Sequence, residues 1–324
     1  MSAGTETQRS IALVFPGQGS QHVGMGKSLA EHSRAARDIF IQADQTLGFR
    51  LSELCFNGPD AELRDTINAQ PAILTVSMAC LAALREHLGS ADQLLRPRLV
   101  AGHSLGEYSA LVAAGVLDFS TALQLVRERG RLMKESGEVT LGGMAAVIGL
   151  DARVLEDVCR QAREKGYVWP ANYNTPTQTV ISGDLAALSA AIELAVANGA
   201  QRVIRLAVSI AAHSPLMQRA SEQFAEVVNH LRWQDARVPI VSDISARVLT
   251  SADEIRAELS RQLCSSVRWT ESVRQMLGLG VTTFIELGPG EVLSTMIKRI
   301  DRQALTVSVN DPASLQSISA MLAS

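Results

Sequence analysis

Five strand-sized apolar runs, at residues 11–15, 98–102, 239–242, 282–287 and 305–309, are separated by longer stretches with helical spacing. Strands so far apart cannot be hairpin partners, so they are expected to lie parallel, joined by helical crossovers and buried on both faces. Between the second and third runs the rhythm changes: strand 144–149, helix 152–165, strands 168–172 and 179–182, helix 185–198 and strand 202–208. That βαββαβ order matches a ferredoxin-like split unit. The expected fold is α/β, with a core on a parallel sheet from residues 10–138 and 210–315, interrupted by a ferredoxin-like subdomain at 139–209. An Ala- and Leu-rich stretch at 70–88, read as free of internal breakers, is expected to be a buried helix.

Composition narrows the function classes. At 324 residues and 47% hydrophobic, the chain can bury a large core, roughly three quarters of the surface of its unfolded form. The formal net charge is −3 with no long block of like charge, so nucleic acid is not an expected partner. The first ten residues are polar and lead into an apolar run too short for a signal-peptide core or a membrane span. A cytoplasmic protein without a membrane segment is expected. Cys55, Cys80, Cys159 and Cys264 have neither metal-ligand nor disulfide spacing and read as small packing residues.

The second run feeds straight into Gly102-His103-Ser104-Leu105-Gly106 and a helical stretch. G-x-S-x-G between strand and helix puts the serine on a tight turn, and the glycines let neighbouring backbone approach. The competing reading is a serine N-cap between turn glycines. A nucleophilic serine needs a base to take its proton. Of six histidines, His22, His32, His87 and His230 sit in polar runs and read as surface residues. His103 adjoins the serine with its side chain directed away. His213 ends the apolar stretch Ile210-Ala211-Ala212 ahead of Ser214-Pro215, a position that on its own suits a structural histidine better than a base.

Several short motifs together change that balance. They are FPGQGSQ at 15–21, GHSLGEY at 102–108, RERG at 127–130, GMAA at 143–146, NYN at 172–174, SIAAH at 209–213, RQL at 261–263 with Trp269-Thr270, and ELGPG at 286–290. In this order and spacing they resemble the malonyl-coenzyme A:acyl carrier protein transacylases of fatty acid and polyketide synthesis. The resemblance implies an α/β-hydrolase-like core carrying the ferredoxin-like subdomain. It implies Ser104 as acylated nucleophile, His213 as general base, and the backbone N–H groups of Gln18 and Leu105 as oxyanion hole. Arg129 falls on the arginine that pairs with the malonyl carboxylate, and Gln262 on the residue that supports the histidine through its carbonyl. Malonyl-coenzyme A and an acyl carrier protein are the implied partners, a monomer is expected, and no cofactor or metal is implied.

Two departures from the family pattern bear on detail. Ala212 before the histidine leaves malonyl and methylmalonyl groups both open, while Leu105 favours malonyl. Ser242-Asp243 stands where many relatives carry asparagines, near the expected carrier or pantetheine channel. Lys134, Arg127 and Arg131 are candidates for a basic patch facing an acidic carrier. The alternative activity is an acyl hydrolase on the same scaffold, against which Arg129 counts; a non-catalytic scaffold would not need Ser104, His213 and Arg129 together.

Overall fold

The computed structural model describes residues 10–323. The polar residues 1–9, on which the absence of a signal core was read, lie outside the described residues. Ten strands form among the described residues: β1 (Ile11–Phe15), β2 (Pro97–Gly102), β3 (Gly142–Ile148), β4 (Val168–Thr175), β5 (Gln178–Asp184), β6 (Arg202–Arg205), β7 (Ile240–Val241), β8 (Val248–Leu249), β9 (Thr283–Leu287) and β10 (Leu305–Val309). The larger sheet has the order β10-β9-β1-β2-β7-β8 and the smaller β4-β5-β3-β6. The larger sheet is parallel except for the β7–β8 pair at its edge. The smaller sheet is antiparallel throughout.

Strand periodicity explains why helices cover both faces of the larger sheet. Along β1, Ile11, Leu13 and Phe15 enter the main apolar cluster, whereas Ala12 and Val14 enter a second cluster with Trp269, Phe284 and Leu293. Each face alternates with a period of two, so both need a cover. The smaller sheet has a core of its own, where Ala145, Val147 and Ile181 pack against the helices Ala152–Ala162 and Leu185–Ala197. It is tied to the larger body by backbone: Val267 N–H donates to Ala171 O and Tyr173 N–H to Val267 O, each at 2.8 Å.

Three sequence expectations need correction. The buried helix runs Thr66–Leu88, one turn longer than expected, and contains Pro71. Asp65 caps it through Ile67 N–H, and Pro71 lies in its second turn, where burial outweighs one missing N–H donor. This helix is long and apolar enough to cross a membrane, but 83% of its most apolar stretch is buried in protein. The last strand of the small unit ends at Arg205 instead of 208; beyond Leu206 the chain peels off toward His213. The run at 239–242 pairs over only Ile240–Val241, and its partner β8 was not anticipated.

The helix after β2 approaches β1 so closely that a Cβ on Gly106 would lie 1.9 Å from Phe15 O. Both contacting groups are backbone, so no rotamer change relieves the overlap. Gly106→Ala is expected to destabilise the fold by about 3 kcal/mol, seen as a lower urea midpoint with an unchanged m-value. A midpoint equal to that of the unsubstituted protein would refute this close packing.

Candidate active site

Phe15 on β1 stands opposite Gly102 on β2, so the chain leaves both parallel strands at one edge of the sheet. Ligand sites in such sheets form at the carboxyl ends of strands where connections diverge. Here the loop after β1 carries Gln18 and the turn after β2 carries Ser104. Ser104 has φ 51°, a left-handed conformation that costs a non-glycine residue on the order of 1–3 kcal/mol. Its N–H donates to Asp243 Oδ2 at 2.8 Å and its carbonyl accepts from Gln262 Nε2 at 3.0 Å. The hydroxyl is not a helix cap: the helix Gly106–Ala113 has no side-chain cap, and Ser104 Oγ lies 2.7 Å from His213 Nε2.

His213 also has a positive φ, 58°. Its Nδ1 lies 3.1 Å from Gln262 O and 3.0 Å from Ser265 O. Carbonyls only accept, so Nδ1 carries the ring proton and Nε2 offers its lone pair to the serine hydroxyl. No carboxylate is needed to set this tautomer. Burial, reinforced by the positive Arg129 and by His103, pulls the imidazole pKa down to about 3.

The helix Phe119–Val139 crosses Thr66–Leu88 at backbone contact, where a Cβ on Gly130 would meet Thr66 O at 2.6 Å. That closeness carries Arg129 inside, to 1% exposure. Its Nη1 donates to Gln70 Oε1 at 2.9 Å, and its Nη2 donates to Gln262 Oε1 at 3.0 Å and to Ser104 Oγ at 3.2 Å. Its Nε has no acceptor, and no ion pair to it forms among the described residues. Gln18 turns its side chain to Thr66 Oγ1, which donates to Oε1 at 2.9 Å. The backbone N–H groups of Gln18 and Leu105 have no acceptor among the described residues. Gln18, Ser104, Arg129 and His213 line a cavity of about 290 Å³ whose remaining walls include Met133, Met144 and Val180.

The family defined by the acyl transferase domain matches residues 12–317. A malonyl CoA-acyl carrier protein transacylase of Bacillus subtilis is 47% identical over 307 residues, 94% of this chain and 95% of that one. The chain belongs to the malonyl CoA-acyl carrier protein transacylase family. Its fold is that of the family's solved members: the transacylase from Coxiella burnetii superposes with TM-score 0.93 at 38% identity, covering 97% of this chain and 98% of that one. A malonyl-transacylase solved in complex with a type II polyketide acyl carrier protein gives TM-score 0.90 at 40% identity, over 95% and 98%.

Within this transacylase-family chain, the structure brings Ser104, His213, Arg129 and Gln18 around one cavity, while Gln262 lies buried behind them, bonded to Arg129, His213 and the Ser104 carbonyl, and Leu105 follows the serine, also buried. His103 turns away from the serine, as expected, and its Nε2 meets Asn174 Oδ1 at 2.8 Å. That contact locks the turn to β4 of the small sheet. His22, His32, His87 and His230 are exposed. Cys55, Cys80 and Cys159 are buried and Cys264 is partly so.

Ser242 and Asp243, the pair that departs from the family pattern, are both fully buried beneath the serine turn. One expectation fails. The proposed basic patch is neutralised, since Lys134 pairs with Asp65 at 2.6 Å and Arg131 with Glu128 at 2.6 Å and with Glu135. Arg127 instead lies with its guanidinium 4.5 Å from the Phe49 ring centroid. Sequence reasoning also missed Gln70, Glu107 and Asp243. Gln70 sat in a stretch read only for apolar content, and nothing local ties Asp243 to a serine so distant in sequence.

The depressed histidine pKa has a measurable consequence. In the unfolded chain the imidazole protonates near about 6.5, so its contribution to stability is complete above that pH and is lost as pH falls from about 6.5 toward about 3. Two-bond ¹H–¹⁵N NMR of the free protein is expected to show a neutral His213 ring with the proton on Nδ1 from about pH 8 to about pH 5. A midpoint near the ordinary histidine value would contradict the buried, Arg129-flanked setting.

Proposed function

We propose that the chain transfers a malonyl group from malonyl-coenzyme A to the phosphopantetheine thiol of an acyl carrier protein through a Ser104 acyl-enzyme. The observation that carries this reading is Arg129: a guanidinium at 1% exposure, with no ion pair among the described residues, whose Nη2 lies 3.2 Å from Ser104 Oγ. A buried cation whose direct partners are all uncharged favours an acyl group that brings its own carboxylate. The guanidinium fork matches a carboxylate with two parallel charge-assisted bonds, and the unused Nε is one available donor. The Bacillus subtilis relative's name and the solved transacylase–carrier complex support the donor and the acceptor.

In the first half-reaction Ser104 Oγ attacks the thioester carbonyl carbon as its proton passes to His213 Nε2. The carbonyl π electrons move onto oxygen, and the backbone N–H groups of Gln18 and Leu105 stabilise that charge. The intermediate collapses, the C–S bond breaks, and the imidazolium returns the proton to the coenzyme A sulfur. The second half repeats the steps in reverse sense. The carrier thiol gives its proton to His213, its sulfur forms the new thioester, and the C–O bond to Ser104 breaks with reprotonation of Oγ.

Intact-mass measurement after mixing with malonyl-coenzyme A tests the acyl-enzyme. A single malonyl adduct is expected on the unsubstituted protein and none on Ser104→Ala; an adduct on the alanine variant would move the nucleophile elsewhere. Adding a phosphopantetheinylated carrier should discharge the adduct onto its thiol. Release as free malonate with no transfer would instead identify a hydrolase.

Arg129→Ala separates dicarboxylic from simple acyl selectivity. Loss of a desolvated charged hydrogen-bond pair is expected to cost about 2–5 kcal/mol in malonyl kcat/KM, while acetyl acylation, with no carboxylate to lose, falls little. Lysine cannot reproduce the fork, so Arg129→Lys should also impair malonyl. Parallel declines for malonyl and acetyl groups would make Arg129 a structural residue.

A further inference from the structure

Beneath the serine turn lies a pair of buried acids that the proposed reaction does not use. Glu107 is 5% exposed and Asp243 0%. Their carboxyl groups are neighbours that share one donor, Gln262 Nε2, which lies 2.6 Å from Glu107 Oε2 and 3.4 Å from Asp243 Oδ2. Asp243 N–H donates to Glu107 Oε1 at 3.2 Å, and Gln262 Nε2 donates to Glu107 Oε2 at 2.6 Å. Asp243 Oδ2 accepts from Ser104 N–H, whereas Asp243 Oδ1 is buried with no donor. Neither acid forms an ion pair among the described residues.

Two carboxyl groups bridged by one amide nitrogen in a water-excluded site do not both ionise. The hydrogen bonds say which keeps the proton. Both Glu107 oxygens already accept N–H groups, and Glu107 lies in the first turn of the helix Gly106–Ala113, where the helix dipole favours an anion. Protonating Asp243 at its unpartnered oxygen displaces no hydrogen bond. We propose that Asp243 is a neutral carboxylic acid held against an ionised Glu107, and that this shared proton positions the Ser104 turn.

Charge balance agrees. Gln262 links Arg129 to Glu107, accepting from the guanidinium at 3.0 Å and donating to the carboxylate at 2.6 Å. One positive charge therefore meets one negative through an amide. The other groups facing the pair are Tyr108 on the same helix, Glu258 from the helix Ala252–Leu259, and His213 across Ser104 and Gln262. Glu258 accepts from Ser242 Oγ at 2.7 Å and meets Arg261 at 3.5 Å. Burial first, then the Glu107 charge, raises the Asp243 carboxyl well above the carboxylate range, against the pull of Arg129. Ionising Asp243 would place a second negative charge directly behind the serine, opposing the oxyanion that acyl transfer must build. Asp243 thus acts as a positioning residue through the Ser104 backbone, whichever acyl group is carried.

The protonation state is tested without substrate. Infrared spectra of the protein labelled with carboxyl-¹³C aspartate, at neutral pH, should contain a protonated-acid carbonyl band that shifts with the label and is absent from Asp243→Asn. In Glu107→Gln the acid loses its anionic neighbour but not its burial, so the pH at which the band disappears should fall. A raised folded-state acid pKa contributes stability below the ordinary carboxyl pKa and loses it as pH rises. The stability of Asp243→Asn relative to the unsubstituted protein should therefore grow with pH above about 4. Asparagine keeps both an acceptor for Ser104 N–H and a donor for Glu107, so Asp243→Asn should form the acyl adduct at least about tenfold faster than Asp243→Ala. Absence of a label-sensitive acid band in the unsubstituted protein would overturn the proposal, even if neither variant folds. Equal rates for the asparagine and alanine variants would also overturn the positioning role.

Discussion

The left-handed backbone of Ser104, φ 51°, is the constraint around which this structure is arranged. A non-glycine residue does not stay there unless its surroundings outweigh a strain on the order of 1–3 kcal/mol. Here they grip it from three sides. Gly102 and Gly106 are too close to backbone to carry a Cβ, Asp243 holds the serine N–H, and Gln262 holds its carbonyl. The hydroxyl is left standing in the cavity with one neighbour that can take its proton.

Gln262 unifies the site more than any other side chain. Its backbone carbonyl orients His213, its amide oxygen receives Arg129, and its amide nitrogen reaches Ser104 O and Glu107. A buried arginine beside a neutral histidine would be costly alone, because each positive charge there is desolvated. The arrangement answers this by keeping the histidine unprotonated and by supplying a single anion, Glu107, one amide away. The same polarity leaves the Arg129 Nε–H without an acceptor.

Much of the fold was legible because its periodicities are local. Strand runs, the βαββαβ order and the glycine-flanked serine all depend on residues within a turn or two of each other, and all are present. The misses have equally physical causes. Pro71 was absorbed because tertiary burial of the helix Thr66–Leu88 outweighs one missing donor. β6 ends early because the chain must leave the small sheet to deliver His213. The basic patch dissolved because the acidic partners of Lys134 and Arg131 are set by neighbouring helix turns and by a helix crossing, which composition does not reveal.

What the sequence by itself determined is the alternation that makes the sheet parallel, the strand–turn–helix that exposes Ser104, and, through spaced motifs, the family. These follow from backbone sterics and short-range spacing. The motifs singled out His213, but tertiary structure alone decided how its ring meets the serine at 2.7 Å, since the two residues are 109 apart in the chain. It also decided that Arg129 is buried with no ion pair among the described residues, and that Asp243 lies under Ser104, 139 residues from it. Such contacts depend on how whole layers pack at backbone distance, as where Gly130 lets two helices touch, and no local pattern encodes the meeting point of two distant elements.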